Sequence, residues 1–322
     1  MENNRRKYPL LNDFINFVKR SILSVTKQTV SPGAFEWIDI TSPNEAELKE
    51  ASKLYNLDNY TLRDCLEPDH LPKSEETGNI HFIITRILTG SRNDDLHTIQ
   101  EISTKMAIFF SGSFIITVHR LPHPFLEKIR TGGNEKSQFL SPEQLVTRIL
   151  WYVLQSYNKP AIDLSDEVDK YEVMIFRHSL TPAMMQSLHF IKQQASVCRR
   201  LLMLTGEVIS SVRSAGNDTV ALQDVRDLHI KLIMLFEQAH EDVTNLLNIY
   251  LSLSAQKTNQ VIMVLTLFSV FFMPLTFIVG IYGMNFEFMP ELKARWGYPA
   301  VMLGMGIVTL LIYIWFKRRK WM

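Results

Sequence analysis

Only two cysteines occur in 322 residues, Cys65 and Cys198, and neither has a partner at metal-ligand spacing. They read as small packing residues that a cytosolic domain keeps reduced. An excess of one charge sign is missing too. There are 34 Lys and Arg against 33 Asp and Glu, a net charge of +1, which excludes the global basic field of a nucleic-acid binder. No zinc-finger or Walker pattern occurs. The nine His are scattered, and no nucleophile–base pair stands out, so nothing argues for an enzyme or an organic cofactor. Near the end, charge vanishes altogether: Thr258 to Phe286 holds no charged side chain.

Long apolar runs fill that gap. VIMVLTLFSVFFMPLTFIVGIY, Val261 to Tyr282, has 22 residues. As a helix that is about 33 Å, enough for a hydrocarbon core of about 30 Å. A second run, YPAVMLGMGIVTLLIYIWF, spans Tyr298 to Phe316. The basic residues Lys317, Arg318, Arg319 and Lys320 follow it directly. Basic flanks stay in the cytoplasm, so two spans place both termini there, in a multi-pass protein of the cell (inner) membrane. The first 25 residues are basic and amphipathic but contain Asp13 and no long apolar core. They are expected to form a docked or membrane-skimming helix rather than a secretion signal.

Three regions follow: residues 1–155 mixed α/β, residues 156–257 a long-helix bundle and stalk, and residues 258–322 a membrane region. The last divides into a first span at about 261–282, a loop at 283–298, a second span at about 299–316 and a basic tail at 317–322. FEWIDI and HFIITRIL read as strands, and KMAIFFSGSFIITVHR as a hairpin around Ser111, Gly112 and Ser113. TSPNEAEL predicts a helix capped by Ser42 with Glu45 completing a capping box, and SPEQLV repeats the pattern with Ser141, Pro142 and Gln144. YTLRDCLEP reads as a short helix. From Ala161 everything is helical, with Asp163, Asp166, Glu167 and Asp169 on one face and Leu164, Val168, Tyr171 and Ile175 on the other. A partner helix is expected from Thr181-Pro182 to about Val212. After SAGND, no Pro or Gly interrupts the chain from Thr219 until Pro274, so a single helix is expected to reach Tyr282.

On that helix Asn259, Ile262, Thr266, Ser269, Met273, Thr276, Gly280 and Gly283 recur every three or four residues and share one stripe. Small and hydroxyl residues in a stripe serve either helix packing or a pore. One helix cannot enclose a pore, so the second reading requires a homo-oligomer. No ionisable group lies in the span, which disfavours a proton relay. Neutral oxygens suit a hard ion that keeps its water, as Mg²⁺ does. Apolar members such as Ile262, Leu265 and Met273 would close the path by dewetting.

YGMNFEFMPEL after FMPLTFIVGI, then WGYP and a basic end, resembles the CorA family of magnesium/cobalt transport channels, the superfamily of two-span proteins with a Gly-Met-Asn motif. PDHLPKSE and the order of α/β before helices agree along the whole chain. The resemblance implies a homopentameric funnel: an αβα sandwich, a very long stalk helix and two C-terminal transmembrane helices. It implies a selectivity filter at Gly283, Met284 and Asn285, and a pore lined or gated by Asn259, Ile262, Leu265, Met273, Thr276 and Gly280. Glu287 and Glu291 in the periplasmic loop either concentrate cations or are solvated charges, with Lys293 and Arg295 nearly cancelling them. The tail residues 317–320 form a cytosolic basic ring. The resemblance also implies regulatory Mg²⁺ between neighbouring chains at Asp64 and Asp224; the alternative is two ordinary surface aspartates. Arg63 stands where relatives often carry an acid, which puts a second metal site in doubt.

The resemblance implies uptake of hydrated Mg²⁺, with Co²⁺ or Ni²⁺ as further cargo, driven by membrane potential. The alternatives are the superfamily's zinc-transporting branch, against which the MPEL loop argues, and a membrane-anchored metal sensor or scaffold that conducts nothing.

Overall fold

The computed structural model describes residues 25–30, 35–89, 98–131, 139, 141–177, 181–214, 220–285, 289–290 and 294–319. The amphipathic N-terminal segment, Glu287, Glu291 and Lys320 lie outside them. Two compact units result, Met1–Leu247 and Asn248–Met322.

Among the described residues of the first unit, six strands form one sheet in the order β1-β2-β6-β5-β4-β3. They are β1 (Val25–Val30), β2 (Phe35–Thr41), β3 (Lys73–Thr77), β4 (Ile80–Leu88), β5 (Ser103–Ser111) and β6 (Phe114–His119). All neighbours run antiparallel except β2 and β6, which are parallel. The inner strands β4, β5 and β6 are buried along nearly their whole length. Their sequences are continuous apolar runs for that reason, because both faces of the sheet are covered.

Helices α1 (Glu45–Tyr55) and α2 (Asn59–Leu66) cover one face. Leu48, Leu57, Leu62 and Cys65 pack there against Ile38, Ile40, Phe82, Ile84, Phe109 and Ile116. A single-turn helix α3 (Ile99–Ile102) precedes β5, and α4 (Pro124–Thr131) follows β6. The opposite face is held by α5 (Pro142–Phe176): the Tyr157 hydroxyl donates to the Arg86 carbonyl at 2.9 Å, and Ser156 Oγ accepts from the Leu88 N–H at 3.0 Å. Sheet and helices thus make the expected αβα sandwich. Cys65 and Cys198 are both free and buried, and burial pushes each thiol up to about 12, which suits packing rather than chemistry.

The cap of α1 differs from the sequence expectation. Its N-cap is Asn44, whose side chain accepts from Glu47 N–H while Glu47 reaches back to the Asn44 N–H. Ser42 is diverted: it takes φ 53°, its N–H donates to the His119 carbonyl and its hydroxyl to the Arg120 carbonyl. The strand end at β6 therefore claims Ser42, and the next competent cap is two residues on. Ser141 does cap α5, accepting from the Gln144 N–H, with Pro142 in the first turn. That helix runs through Pro160 without a break, so residue 155 lies inside an element rather than at its edge.

Helix α6 (Pro182–Ser214) and α7 (Val220–Tyr282) complete the helical part. Arg199 of α6 pairs with Glu237 of α7 at 2.8 Å, and His229 Nε2 donates to the Leu202 carbonyl at 2.7 Å. A Cβ on Gly206 would lie 3.0 Å from His229 Cε1, so any larger residue requires that tethered ring to give by a few tenths of an ångström. Helix α7 is 63 residues long, with Pro274 inside it, as its lack of breakers predicts.

The second unit contains the end of α7 and α8 (Gly297–Arg318). Both are long and apolar enough to cross a membrane. Phe271 stacks on Phe316 with ring centroids 5.8 Å apart, and Phe316 is buried.

Candidate functional site

Helical periodicity sorts the span of α7 into two stripes. Leu267, Val270, Phe271, Pro274, Leu275, Ile278 and Tyr282 are half-covered. Val301, Gly304, Met305, Val308, Thr309, Ile312 and Phe316 form the matching stripe on α8. Spacings of three and four residues put each set on one face, and the Phe271–Phe316 stack joins the two faces. The opposite side of α7 is uncovered: Asn259, Ile262, Leu265, Thr266, Ser269, Met273, Thr276, Gly280 and Gly283 are all exposed. The stripe of small and hydroxyl residues is therefore not the surface that α8 uses.

Its hydroxyls are oriented. Thr266 donates to the Ile262 carbonyl at 2.8 Å, Ser269 to the Leu265 carbonyl at 3.0 Å, and Thr276 to the Phe272 carbonyl. With the proton spent on the backbone, each oxygen keeps its lone pairs for whatever lies outside the helix. At the end of α7, Gly283 N–H returns to the Val279 carbonyl at 2.9 Å and Met284 N–H to that of Ile281 at 3.3 Å. A Cβ on Gly283 would stand 3.1 Å from the Val279 carbonyl oxygen, which favours glycine where the helix closes. Asn285 follows directly and is exposed. At the other end of the unit, Lys317, Arg318 and Arg319 are exposed around the C-terminus of α8, where cations complement the helix dipole. The Arg319 guanidinium lies 5.9 Å from the Trp315 ring centroid.

In the first unit, Asp64 sits in the last turns of α2 and is half-buried. One carboxylate oxygen, Oδ2, pairs with Lys73 of β3, and the other, Oδ1, lies 3.0 Å from His70 Nε2. Glu67 is arranged likewise: Oε1 pairs with Arg63 at 3.0 Å and Oε2 lies 3.0 Å from the same His70 nitrogen. Burial opposes the charge on Lys73, but its bonds to Asp64 and Glu75 outweigh this and raise its pKa. Two buried cations fix the backbone beneath. Lys105 donates to the carbonyls of Asp64, Cys65 and Glu67, and burial pushes its ammonium down to about 8, still charged at neutral pH. Arg86 donates to the carbonyls of Pro68 and His70 at 3.0 and 2.9 Å. Asp224 is exposed near the start of α7, and among the described residues it is not a partner of Asp64 within one chain.

Residues 32–318 match the sequence family described as CorA-like Mg²⁺ transporter protein. The chain belongs to this family. Over 299 residues it is 31% identical to the cobalt/magnesium transport protein CorA of Thermotoga maritima, covering 89% of this chain and 83% of that one. The complete structure of the CorA magnesium transporter from Methanocaldococcus jannaschii aligns with a TM-score of 0.75 at 21% identity, over 94% of this chain and 99% of that chain. The full-length CmaX protein shares the fold at a TM-score of 0.69 and 14% identity, over 91% of each chain.

The chain thus has the CorA architecture: an α/β domain, a long helix and two C-terminal apolar helices in a membrane protein that transports divalent cations. Two clusters in this CorA chain escaped sequence reasoning. The carboxylate–imidazole group is one, because His70 lies beyond α2 and reaches Asp64 only through a loop that Arg86 holds. The other is buried at the end of the parallel strand pair. Asp39 accepts from His119 Nε2 at 2.9 Å, from Arg130 at 3.0 Å and from the Thr117 hydroxyl. Burial alone would raise Asp39, but the hydrogen bond and charge of His119, then Thr117 and Arg130, bring it below the usual range. His123 packs edge-on against His119, its Nε2 is buried and has no hydrogen-bond partner among the described residues, and burial lowers its pKa to about 4.

Linkage fixes the sign of the resulting pH dependence. The folded pKa of His123, about 4, lies below the reference 6.5, so the unfolded chain takes up the proton first as pH falls. Stability contributed by His123 is complete above 6.5 and is lost between about 6.5 and 4. A series of thermal melts across that window is expected to show a falling midpoint in the wild type and a shallower fall in His123→Phe.

Proposed function

We propose that this chain assembles as a homopentameric channel in the cell inner membrane, with both termini cytoplasmic. It admits hydrated Mg²⁺, and also Co²⁺ and Ni²⁺, down the membrane potential. The observation that carries this reading is the stripe on α7 that faces away from α8 and stays uncovered in a single chain. An exposed row of oriented hydroxyls on a membrane helix calls for a polar neighbour, and a water-filled axis between symmetry copies supplies one. Acceptor oxygens of Thr276 and Asn259 hold the hydrogens of the ion's own water shell, which Mg²⁺ sheds reluctantly. Ile262, Leu265 and Met273 form apolar belts that interrupt the water column when the helices are close. Asn285, just past the closing turn of Gly283 and Met284, presents a ring of amides at the mouth. Glu287 and Glu291 lie in the loop beyond it, and the basic residues Lys317 to Lys320 ring the cytosolic end.

Intracellular Mg²⁺ bound between Asp64 of one chain and Asp224 of its neighbour closes the channel. Facing carboxylates repel until a cation neutralises them, so losing the ion loosens that contact. Arg63 is turned to Glu67 rather than to Asp64, which leaves Asp64 to Lys73 and His70.

The test is Mg²⁺ entry into proteoliposomes loaded with a Mg²⁺-sensitive dye, at imposed negative-inside potential. A divalent ion gains about 4.6 kcal/mol per 100 mV, so entry is expected to rise steeply with voltage. Zn²⁺ entry that follows a pH gradient instead would move the chain to the zinc-transporting branch. No flux of either ion, from assembled protein with low internal Mg²⁺, would leave a sensor or scaffold.

A further inference from the structure

We propose that Asp64, Glu67 and His70 of a single chain form a site for a borderline transition cation, of the class Co²⁺, Ni²⁺ or Zn²⁺. Each residue offers one ligand atom, and the three atoms lie within 4.8 Å of one another. The imidazole Nε2 stands 3.0 Å from an oxygen of each carboxylate. Ligands about 2.1 Å from a metal in neighbouring positions are themselves about 3.0–3.4 Å apart. The two imidazole–carboxylate spacings already suit a metal ion, and the two carboxylate oxygens, within 4.8 Å of each other, have only to close up around it.

Orientation of the ligands is a separate observation. Lys73 holds the far oxygen of Asp64, and Arg63 holds the far oxygen of Glu67. Each carboxylate is left with one oxygen turned toward the imidazole. Arg86 and Lys105 pin the backbone that carries all three residues, through the carbonyls of Asp64, Glu67 and His70. Partners of this kind fix ligand geometry in metal sites. His70 remains open enough for an ion to enter, with its side chain 26% exposed.

Charge decides the class of cation. Against Asp64, Glu67 and the Glu75 carboxylate that shares Lys73 stand the cations Lys73, Arg63 and Lys105, so the site has no surplus negative charge to attract a hard dication. Selectivity then rests on the imidazole nitrogen, which Mg²⁺ disfavours and Co²⁺, Ni²⁺ and Zn²⁺ accept. The site shares Asp64 with the interchain Mg²⁺ contact proposed above but stands without it, because all its ligands come from one chain. Occupied, it would take Asp64 out of that contact.

The test is calorimetric titration of full-length detergent-solubilised protein with Co²⁺, in saturating Mg²⁺ and with no polyhistidine tag. One Co²⁺ per chain is expected. His70→Asn and Glu67→Gln are each expected to weaken it by at least about 10–100-fold, since losing even a group that only supports a ligand costs that much. Asp224→Asn is expected not to weaken it, and to tighten it, because Mg²⁺ no longer competes for Asp64. Unaltered Co²⁺ affinity in His70→Asn overturns the proposal, as does loss of binding in Asp224→Asn. Where His70→Asn does not fold, Glu67→Gln decides by the same criterion, since its side chain is 47% exposed and its loss leaves no buried void. Protection of the chain from trypsin by Mg²⁺, lost in Asp224→Asn, reports the interchain sensor separately, so the two readings fail independently.

Discussion

Asn285→Ala is expected to abolish Mg²⁺ entry in the dye-loaded proteoliposomes, by at least about tenfold, or about 1.4 kcal/mol. Asn285 follows the last closing hydrogen bonds of α7, from Gly283 and Met284, and its side chain is exposed. In the proposed ring, several amide oxygens accept from the water shell of one ion. Alanine removes those acceptors and widens the mouth without filling the hydrophobic unit, so assembly is expected to survive, as gel filtration would report. Asn259→Ala, at the far end of the same stripe, serves as the comparison. Flux that persists in Asn285→Ala at wild-type level would separate the turn from ion selection.

The second large effect is on the fold. Arg86→Met is expected to lower stability by about 3 kcal/mol, because each buried acceptor left unpaired costs about 1–3 kcal/mol and the Ser103 carbonyl and hydroxyl are buried, with the Pro68 and His70 carbonyls part-buried beside them. Arg86 is only 1% exposed and donates to Pro68 O, His70 O, Ser103 O and Ser103 Oγ. Methionine fills much of the same volume and answers none of these acceptors. Thermal unfolding of the solubilised protein, followed by circular dichroism, checks the size of the loss. Because the His70 carbonyl is released, the Asp64–Glu67–His70 group is expected to scatter as well. A melting point within a degree or two of wild type would mean that water replaces the guanidinium.

Elements with strong periodicity were readable in the sequence. The strands β4, β5 and β6 carry unbroken apolar runs because two layers of helix bury them, and α7 has no breaker before Pro274. The stripe on α7 was readable as a stripe, yet periodicity could not say which face α8 would take; burial separates them. The edge strands were not visible. VTKQTV and KSEET pair with one neighbour each and are rich in polar residues, so they look like loops. Ser42 looked like a cap because its competing partners, His119 and Arg120, are distant in sequence. The same holds for His70, whose position depends on Arg86, and for Asp39, whose partners arrive with β6 and α4.

The one parallel pairing in the sheet has a consequence for synthesis. Trp37 and Thr117, hydrogen-bonded across it, are 80 residues apart. At roughly 5–20 residues per second, β2 leaves the ribosome several seconds before β6 exists. Until then only β1 can pair with it, and its second edge, on a strand with apolar residues on each face, stays open to other nascent chains. Closure waits for the β5–β6 hairpin to arrive and insert. This long-range step, rather than any helix, is where folding is slowest and most exposed to misassembly.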